Sequence, residues 1–322
     1  MTAEEREAKK RELLGDTKPE YFASISGGKD SAAMSLFLKE QGIEHRRVFF
    51  DTGWEHPVLY SYLKDELPEA IGEIEFLTPP LPDLDEEQEA LAVYFEDLLG
   101  HSPSGMLRWI IYKGMFPSRI HRWCTQNLKM KTIKAFMKSN DFERPVNVVG
   151  IRADESEARS KLPEREISTS MDCMVWRPLI RWTVQDVIDI HHRHGLRPCK
   201  LYLQGAKRVG CWPCIFSRKS EVRYMAETDS KRVDLIRELE EAVQKIAAAR
   251  HQKIIDEGGE MKKKLRPPTF FAGLGYGFTM PPIDKVVDWS KTSRGGKQYN
   301  FFREDEREPG CLSWGLCDSG TE

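Results

Sequence analysis

The apolar residues of this chain fall first into short blocks and then into helical stripes. Tyr21-Phe22-Ala23-Ser24-Ile25 is a block of strand length. Ser26-Gly27-Gly28-Lys29-Asp30-Ser31 closes it, and residues 30 to 41 then read as a helix. Arg47-Val48-Phe49-Phe50 forms a second block ending at Asp51-Thr52-Gly53, and Pro57 to Leu67 reads as the next helix. Ile74-Glu75-Phe76-Leu77 is a third strand, stopped by Pro79-Pro80, after which residues 88–115 read as mostly helical. Val146-Asn147-Val148-Val149-Gly150 is a further strand. Strands alternating with helices predict an α/β fold, a doubly wound parallel sheet with helices on both faces.

The character changes after about residue 190. A helix from Val184 to His194 leads into a loop that carries Cys211 and Cys214. Residues 220–255 read as one long charged helix, and residues 256–300, rich in Gly, Pro and Lys, as an extended segment. The organisation expected is a charged N-terminal extension (1–18), an α/β domain (19–195), a cysteine loop (196–220) and a helical and irregular C-terminal region (221–322). No internal repeat is visible.

Composition narrows the class. The 322 residues are 40% hydrophobic and 31% charged, as in soluble globular proteins. No apolar run is long enough to span a bilayer, so no membrane partner is expected. Met1 to Lys10 is charged and lacks an apolar signal region, which makes the cytoplasm the expected location. The net charge of -2 gives no global basic field, although Arg197, Lys200, Lys207, Arg208, Arg218, Lys219 and Arg223 crowd one region and Lys262, Lys263, Lys264 and Arg266 another. Seven cysteines, an odd number without a secretory signal, argue for metal binding or redox chemistry rather than a disulfide framework.

Three motifs fall at strand ends, where open α/β sheets bind ligands. The turn Ser26 to Ser31 passes from strand to helix, so free N–H groups and the positive helix end point at one spot, which suits phosphate. Lys29 adds a charge there. The spacing is neither a Walker A loop nor G-x-G-x-x-G. At the second strand end, Asp51 can meet a ribose hydroxyl or an adenine amine, with Glu55 and His56 close enough to join. At the third, Arg152 and Arg159 suit an anionic group that accepts a guanidinium fork.

Ser26, Gly27, Gly28, Lys29, Asp30 and Ser31 resemble the PP-loop of the adenine-nucleotide α-hydrolase superfamily, which includes ATP pyrophosphatases, tRNA-thiolating enzymes and sulfonucleotide reductases. Asp51, Thr52 and Gly53 resemble the D-T-G that follows the second strand in the reductases. Gly150-Ile151-Arg152-Ala153-Asp154-Glu155-Ser156-Glu157-Ala158-Arg159 is similar to the family signature G-I-R-x-x-E-S-x-x-R. Trp176 to Val187 also follows the family, with Thr183 and Asp186 as a capping-box-like helix start and Arg177 as a further candidate. The resemblance covers about residues 20 to 217. It implies a phosphoadenosine phosphosulfate (PAPS) reductase-like protein that uses Lys29, Asp30 and Arg152 in catalysis. The nucleotide would also meet Gly150, Glu155 and Arg159.

The cysteines extend the resemblance. Leu201 to Gly205 with Arg208-Val209-Gly210-Cys211-Trp212-Pro213-Cys214 resembles the loop that supplies two cluster ligands in iron–sulfur sulfonucleotide reductases. Arg122-Trp123-Cys124-Thr125-Gln126-Asn127-Leu128-Lys129 resembles their tandem-cysteine segment, but Thr125 stands where the second cysteine belongs. A 4Fe–4S cluster on Cys124, Cys199, Cys211 and Cys214 is the expectation, with Cys173 as the other choice for the fourth ligand and zinc as the other metal. Cys311 and Cys317 lie in the tail, where Gly310-Cys311-Leu312-Ser313-Trp314 lacks the histidine that follows the nucleophilic tail cysteine of the reductases.

Two catalytic functions follow from the resemblance. The first, similar to the ATP pyrophosphatase of bacterial DNA phosphorothioation systems, cleaves ATP with Mg²⁺ at the α-phosphate to drive sulfur incorporation. Its partners would be a cysteine desulfurase-like sulfur donor and nucleic acid or a nucleic-acid-modifying complex. The second is an APS or PAPS reductase that releases sulfite and is served by thioredoxin. A non-catalytic nucleotide-binding subunit of a modification or defence complex is the third reading.

Overall fold

The computed structural model describes residues 18–206, 208–259, 266–271, 280–292 and Trp314. The four anticipated strands are present as β1 (Glu20–Ile25), β2 (His45–Phe50), β3 (Glu75–Leu77) and β4 (Pro145–Val149). Two more complete the sheet: β5 (Arg165–Ser168), which the sequence pattern did not suggest, and β6 (Cys173–Trp176). Their order is β3-β2-β1-β4-β6-β5. Every pairing is parallel except β5 with β6, which is antiparallel. The winding reverses between β1 and β4, where Ser24 pairs with Val149. That switch point opens a crevice beyond the strand ends.

The helices that position this crevice are α1 (Lys29–Glu40), α2 (Pro57–Ser61), α3 (Leu67–Ile71), α4 (Glu86–Leu99), α5 (Gly105–Lys113), α6 (Lys131–Ser139), α7 (Glu157–Ser160), α8 (Val184–Arg193), α9 (Lys200–Leu203), α10 (Lys219–Thr228), α11 (Ser230–Asp256) and α12 (Ile283–Lys291). A π-helical turn, Tyr62–Glu66, joins α2 to α3, and another, Thr125–Met130, leads into α6.

The stretch 88–115 is mostly helical as expected, in two pieces, and the single helix expected over 220–255 is corrected. The stretch 88–115 is α4 and α5, because α4 stops at Gly100 and Ser104 caps a new start by accepting the Leu107 N–H. The stretch 220–255 is α10 and α11, divided at Asp229. Its carboxylate accepts the Arg232 N–H at 3.0 Å and the Trp212 indole N–H at 2.9 Å, so a helix start wins over continuation.

Apolar packing explains the layers. Met34, Leu36 and Leu38 of α1, Leu59 of α2 and Val187 and Ile190 of α8 are buried in one core with Ala23, Ile25 and Val148 from the sheet. On the other sheet face, Phe22, Val48 and Phe50 meet Ile133, Phe136 and Met137 of α6. A separate core joins Phe95 of α4 and Leu107 and Ile110 of α5 to Val222, Ile236 and Leu239 of α10 and α11, with Phe270 and Phe271. Each such side chain contributes roughly 1.5–3 kcal/mol by leaving water. No described helix is long and apolar enough to cross a membrane.

Candidate nucleotide and thiol site

β1 ends in the glycine turn because Gly27 takes φ of 71°, a left-handed conformation that side chains disfavour. Ser31 then ties the turn. Its hydroxyl donates to the Gly28 carbonyl at 2.9 Å and accepts the Ser26 N–H at 3.1 Å. No side chain caps α1 at Gly28, so the start of the helix is left for an anion. Two buried residues hold the Lys29 peptide. His191 Nε2–H donates to its carbonyl at 2.9 Å, and Tyr202 Oη lies 3.4 Å from its nitrogen. Burial depresses the His191 pKa, ahead of this bond to the Lys29 carbonyl, which raises it. Lys29 Nζ lies 3.4 Å from Asp30 and 5.2 Å from the Tyr202 ring centre.

The third motif packs directly on this loop. A Cβ on Gly150 would stand 2.5 Å from the Asp30 carbonyl oxygen, so only glycine permits the approach. Arg152 then sends Nε to the Asp30 carboxylate and Nη1 to Asp154 at 2.5 Å. Burial works against the Arg152 charge, but these two carboxylates outweigh it and raise its pKa. Glu155 accepts the Arg152 N–H at 2.9 Å and pairs with Arg159, which is 41% exposed. Lys29, Asp30, Gly150 and Arg152 are therefore one unit, with Glu155 bracing it and Arg159 at its rim. Arg177 lies apart, bound to Glu166 and the Pro163 carbonyl.

α2 links this unit to the second motif. Its Leu59 packs on Gly27, while its Tyr60 reaches Asp51 at 2.6 Å and Glu55 at 3.0 Å. Thr52 donates to Glu55 at 2.7 Å, and the Gly53 N–H to Asp51 at 2.9 Å. His101 stacks on Tyr60 and stands 3.6 Å from Asp51. Burial raises the Glu55 pKa, ahead of the Thr52 bond and Lys129, which lower it. One phenolic proton cannot serve two carboxylates; a neutral Glu55 can donate to Tyr60, and Tyr60 to Asp51.

The cysteine loop is strapped to the same segment. Glu55 pairs with Cys211 as an isolated β-bridge, and the two side chains meet at 3.9 Å. The Trp212 N–H donates to the Trp54 carbonyl at 2.8 Å, and the Trp54 indole to the Pro213 carbonyl at 3.1 Å. Cys124 and Cys214 feel each other and Cys211 electrostatically, and all three edge the helical core. Burial raises the Cys124 thiol pKa and pushes that of Cys211 up to about 12. A pocket opens there between His56, Cys211, Trp212, Cys214, Glu221 and Tyr224.

Cys199 does not join them. It is 1% exposed in the core under α1 and α2, beside Tyr62 and Tyr202, and burial pushes its pKa up to about 11. Adjacency in sequence suggested a ligand, but the chain from α8 to α9 turns this side chain inward. Cys173 is fully buried in β6. Cys311 and Cys317 lie outside the described residues. The described residues thus place Cys124, Cys211 and Cys214 within electrostatic reach of one another, short of the four thiols that a cubane cluster wants, and no three Cys, His, Asp or Glu among them converge on one ion. The expected four-cysteine set does not fit. Magnesium is less demanding, since it is held by one or two carboxylates plus phosphate oxygens, and Asp30 and Asp51 flank the crevice.

Tyr60, His101, His191 and Tyr202 were not anticipated as site residues. Only Tyr202 lay inside a stretch that the sequence singled out.

The family model described as phosphoadenosine phosphosulfate reductase domain matches residues 20–217. An uncharacterised 37.8 kDa protein of Escherichia phage 186 is 30% identical over 92% of this chain and 96% of its own length. An uncharacterised protein of Methanocaldococcus jannaschii is 24% identical over 59% of this chain, which spans 40% of that relative. Among solved structures, PAPS reductase of Candida auris aligns at TM-score 0.44 and 17% identity over 66% of this chain and 97% of that one. FMN adenylyltransferase of Candida glabrata with FMN and an ATP analogue aligns at TM-score 0.39 and 16% identity, over 64% of this chain and 62% of that one. By the match over residues 20–217, the chain belongs to the PAPS reductase domain family.

Proposed function

We propose that this chain is an adenine-nucleotide enzyme that cleaves ATP between its α- and β-phosphates to activate an acceptor for sulfur incorporation, with nucleic acid as the acceptor. The observation that carries the reading is the packing of Gly150 and Arg152 on the phosphate loop at the switch point. An acceptor oxygen attacks the α-phosphorus, the bond to the bridging oxygen breaks, and pyrophosphate leaves. A protein persulfide charged by a cysteine desulfurase-like donor then displaces AMP from the acceptor, and a second protein thiol breaks the new sulfur–sulfur bond, leaving sulfur on the acceptor and a protein disulfide. Lys29, Arg152 and the start of α1 meet the charge that develops on the phosphates. Asp30 keeps Arg152 aimed. Magnesium, bound with the nucleotide and met by Asp30 or Asp51, would neutralise further charge.

Cys211, Cys214 and Cys124 supply thiols within the same unit, and Glu55 ties Cys211 to the D-T-G segment. The family also contains reductases, so the competing reaction is thiol attack on APS or PAPS with sulfite release and thioredoxin turnover. Thr125 in place of a second cysteine, and Leu312 and Ser313 after Cys311, favour ATP. Incubation with ATP and Mg²⁺, and separately with PAPS and thioredoxin, separates them. Pyrophosphate release that Lys29→Ala abolishes is expected. Sulfite release without pyrophosphate would replace this reading with the reductase. Nucleotide binding without either product would leave a binding subunit.

A further inference from the structure

Residues 98–140 contain eight of the chain's 49 Lys and Arg and none of its 51 Asp and Glu. The chain as a whole is slightly negative, so the segment stands out as a local positive field. Arg108 pairs with Glu89 and Glu96, while Lys113, Arg119, Arg122, Lys129, Lys131, Lys134 and Lys138 make no ion pair among the described residues. Some surface cations elsewhere, such as Lys161 and Arg237, are matched by Glu157 and Asp284.

The fold gathers these charges on one track. α6 buries Thr132, Ile133, Phe136 and Met137. It therefore presents Lys131, Lys134 and Lys138 outward as an exposed stripe about 10 Å long. Lys131 and Lys113 share the Trp109 ring at 5.0 and 5.1 Å, and Lys113 also reaches the Trp123 ring at 5.9 Å. Arg119 and Arg122 flank the Phe216 ring at 5.6 and 4.7 Å. Phe216 follows the cysteine loop, and its N–H lies 3.5 Å from Cys214 Sγ. The stripe thus runs from α6 to the thiols. Tyr112 and Ile120 are exposed along it at 42% and 70%.

We propose that this face binds the phosphodiester backbone of a nucleic acid and delivers it to the thiol end of the site. Spaced unpaired cations match a phosphate chain. Guanidinium groups lying on aromatic rings, with exposed apolar side chains between them, suit bases that stack, a feature an acidic peptide does not offer. The inference deepens the acceptor named above and rests on that reading. Its test reads nucleic-acid binding and no cleavage of ATP, so failure of the surface and failure of the reaction are distinguishable.

The test is fluorescence anisotropy with a labelled single-stranded DNA 30-mer from 50 to 200 mM salt, with duplex DNA, single-stranded RNA and polyglutamate as competitors. Six phosphate contacts give a log–log salt slope of about -4 for a single strand. The triple variant Lys131→Glu, Lys134→Glu, Lys138→Glu should bind at least tenfold more weakly with a slope shallower by about 2. Its ATP affinity at the phosphate loop should not change, which shows that it folds. Arg119→Ala with Arg122→Ala should weaken binding by stacking as well as by charge. Competition by DNA or RNA but not by polyglutamate is expected. Polyglutamate competing equally would make this an acidic-protein surface. Unaltered binding by the variants would place any nucleic acid elsewhere. Either result overturns the proposal.

Discussion

Arg152, at the end of β4, grips the carboxylate of Asp30, the second residue of α1, across the point where the winding of the sheet reverses. The pair fixes a guanidinium fork beside the phosphate loop with only 4% of its side chain exposed. Arg152→Lys keeps the charge but loses the fork. Nucleotide affinity measured calorimetrically should fall by roughly 10- to 100-fold, since a charge-assisted hydrogen bond is worth about 1.5–3 kcal/mol. Unchanged affinity would remove Arg152 from the binding role.

Gly150→Ala tests the close approach itself. The new methyl would meet the Asp30 carbonyl oxygen at 2.5 Å and Ser31 Cα at 2.9 Å, both backbone atoms with no room to turn away. Overpacking of this kind costs about 1–3 kcal/mol. Because the shift falls on the phosphate loop, ATP binding should drop further than stability does. Urea melts beside titration calorimetry measure the two separately.

Trp314 lies far along the chain yet packs under the loop. It is 4% exposed, touches the His191 ring at a centroid distance of 5.1 Å, and accepts the His192 Nε2–H at 3.0 Å through its carbonyl. His191 and Tyr202 in turn hold the Lys29 peptide. Trp314→Ala should cost up to about 3–5 kcal/mol of stability and weaken ATP binding several-fold, with Trp314→Phe restoring most of both. Loss of stability with unchanged affinity would reduce Trp314 to a packing residue.

Glu240 predicts a pH dependence. Burial raises its pKa to about 7, although the Phe270 and Ile283 N–H groups at 2.9 Å pull it down. In the unfolded chain the carboxyl returns to its ordinary value of 4.5. Between those values the folded state holds a proton that the unfolded state has released. The contribution to stability is therefore full below 4.5 and is lost as pH rises through about 7. Denaturant melts should show about 3 kcal/mol lost across that window. Glu240→Gln should flatten the slope while costing about 1 kcal/mol for one mismatched N–H.

The thiols make a separate prediction. Because Cys199 sits in the core under α1 and α2, Cys199→Ala should leave the iron and sulfide content of anaerobically purified protein unchanged. Cys211→Ser should alter any metal that the preparation holds. Equal loss in both variants would return Cys199 to the ligand set.

Much of this was legible in the sequence where one local pattern governs one element. β1, β2 and β4 each carry an apolar block at buried positions of the sheet, and each ends at the motif it presents. β5 escaped because Arg165-Glu166-Ile167-Ser168 is a short, mostly polar edge strand whose pairing comes from β6. The breaks at Gly100–Ser104 and Asp229 were hidden inside helical periodicity, and the Asp229 break depends on Trp212, distant in sequence. The phosphate loop, Asp51 and Arg152 were readable as motifs. Their braces Tyr60, His101, His191 and Tyr202 were not, since each acts through a tertiary contact. Cys199 shows the converse, a chemically apt residue in a nearby loop that folding turns away.

The most direct measurement is product analysis after incubation of the full chain with Mg²⁺ and ATP labelled at the α- and γ-phosphates. Labelled AMP or adenylated acceptor, with pyrophosphate as the partner product and both lost in Lys29→Ala, is the predicted result. Release of ADP and inorganic phosphate, or no cleavage of ATP while PAPS yields sulfite, would contradict it.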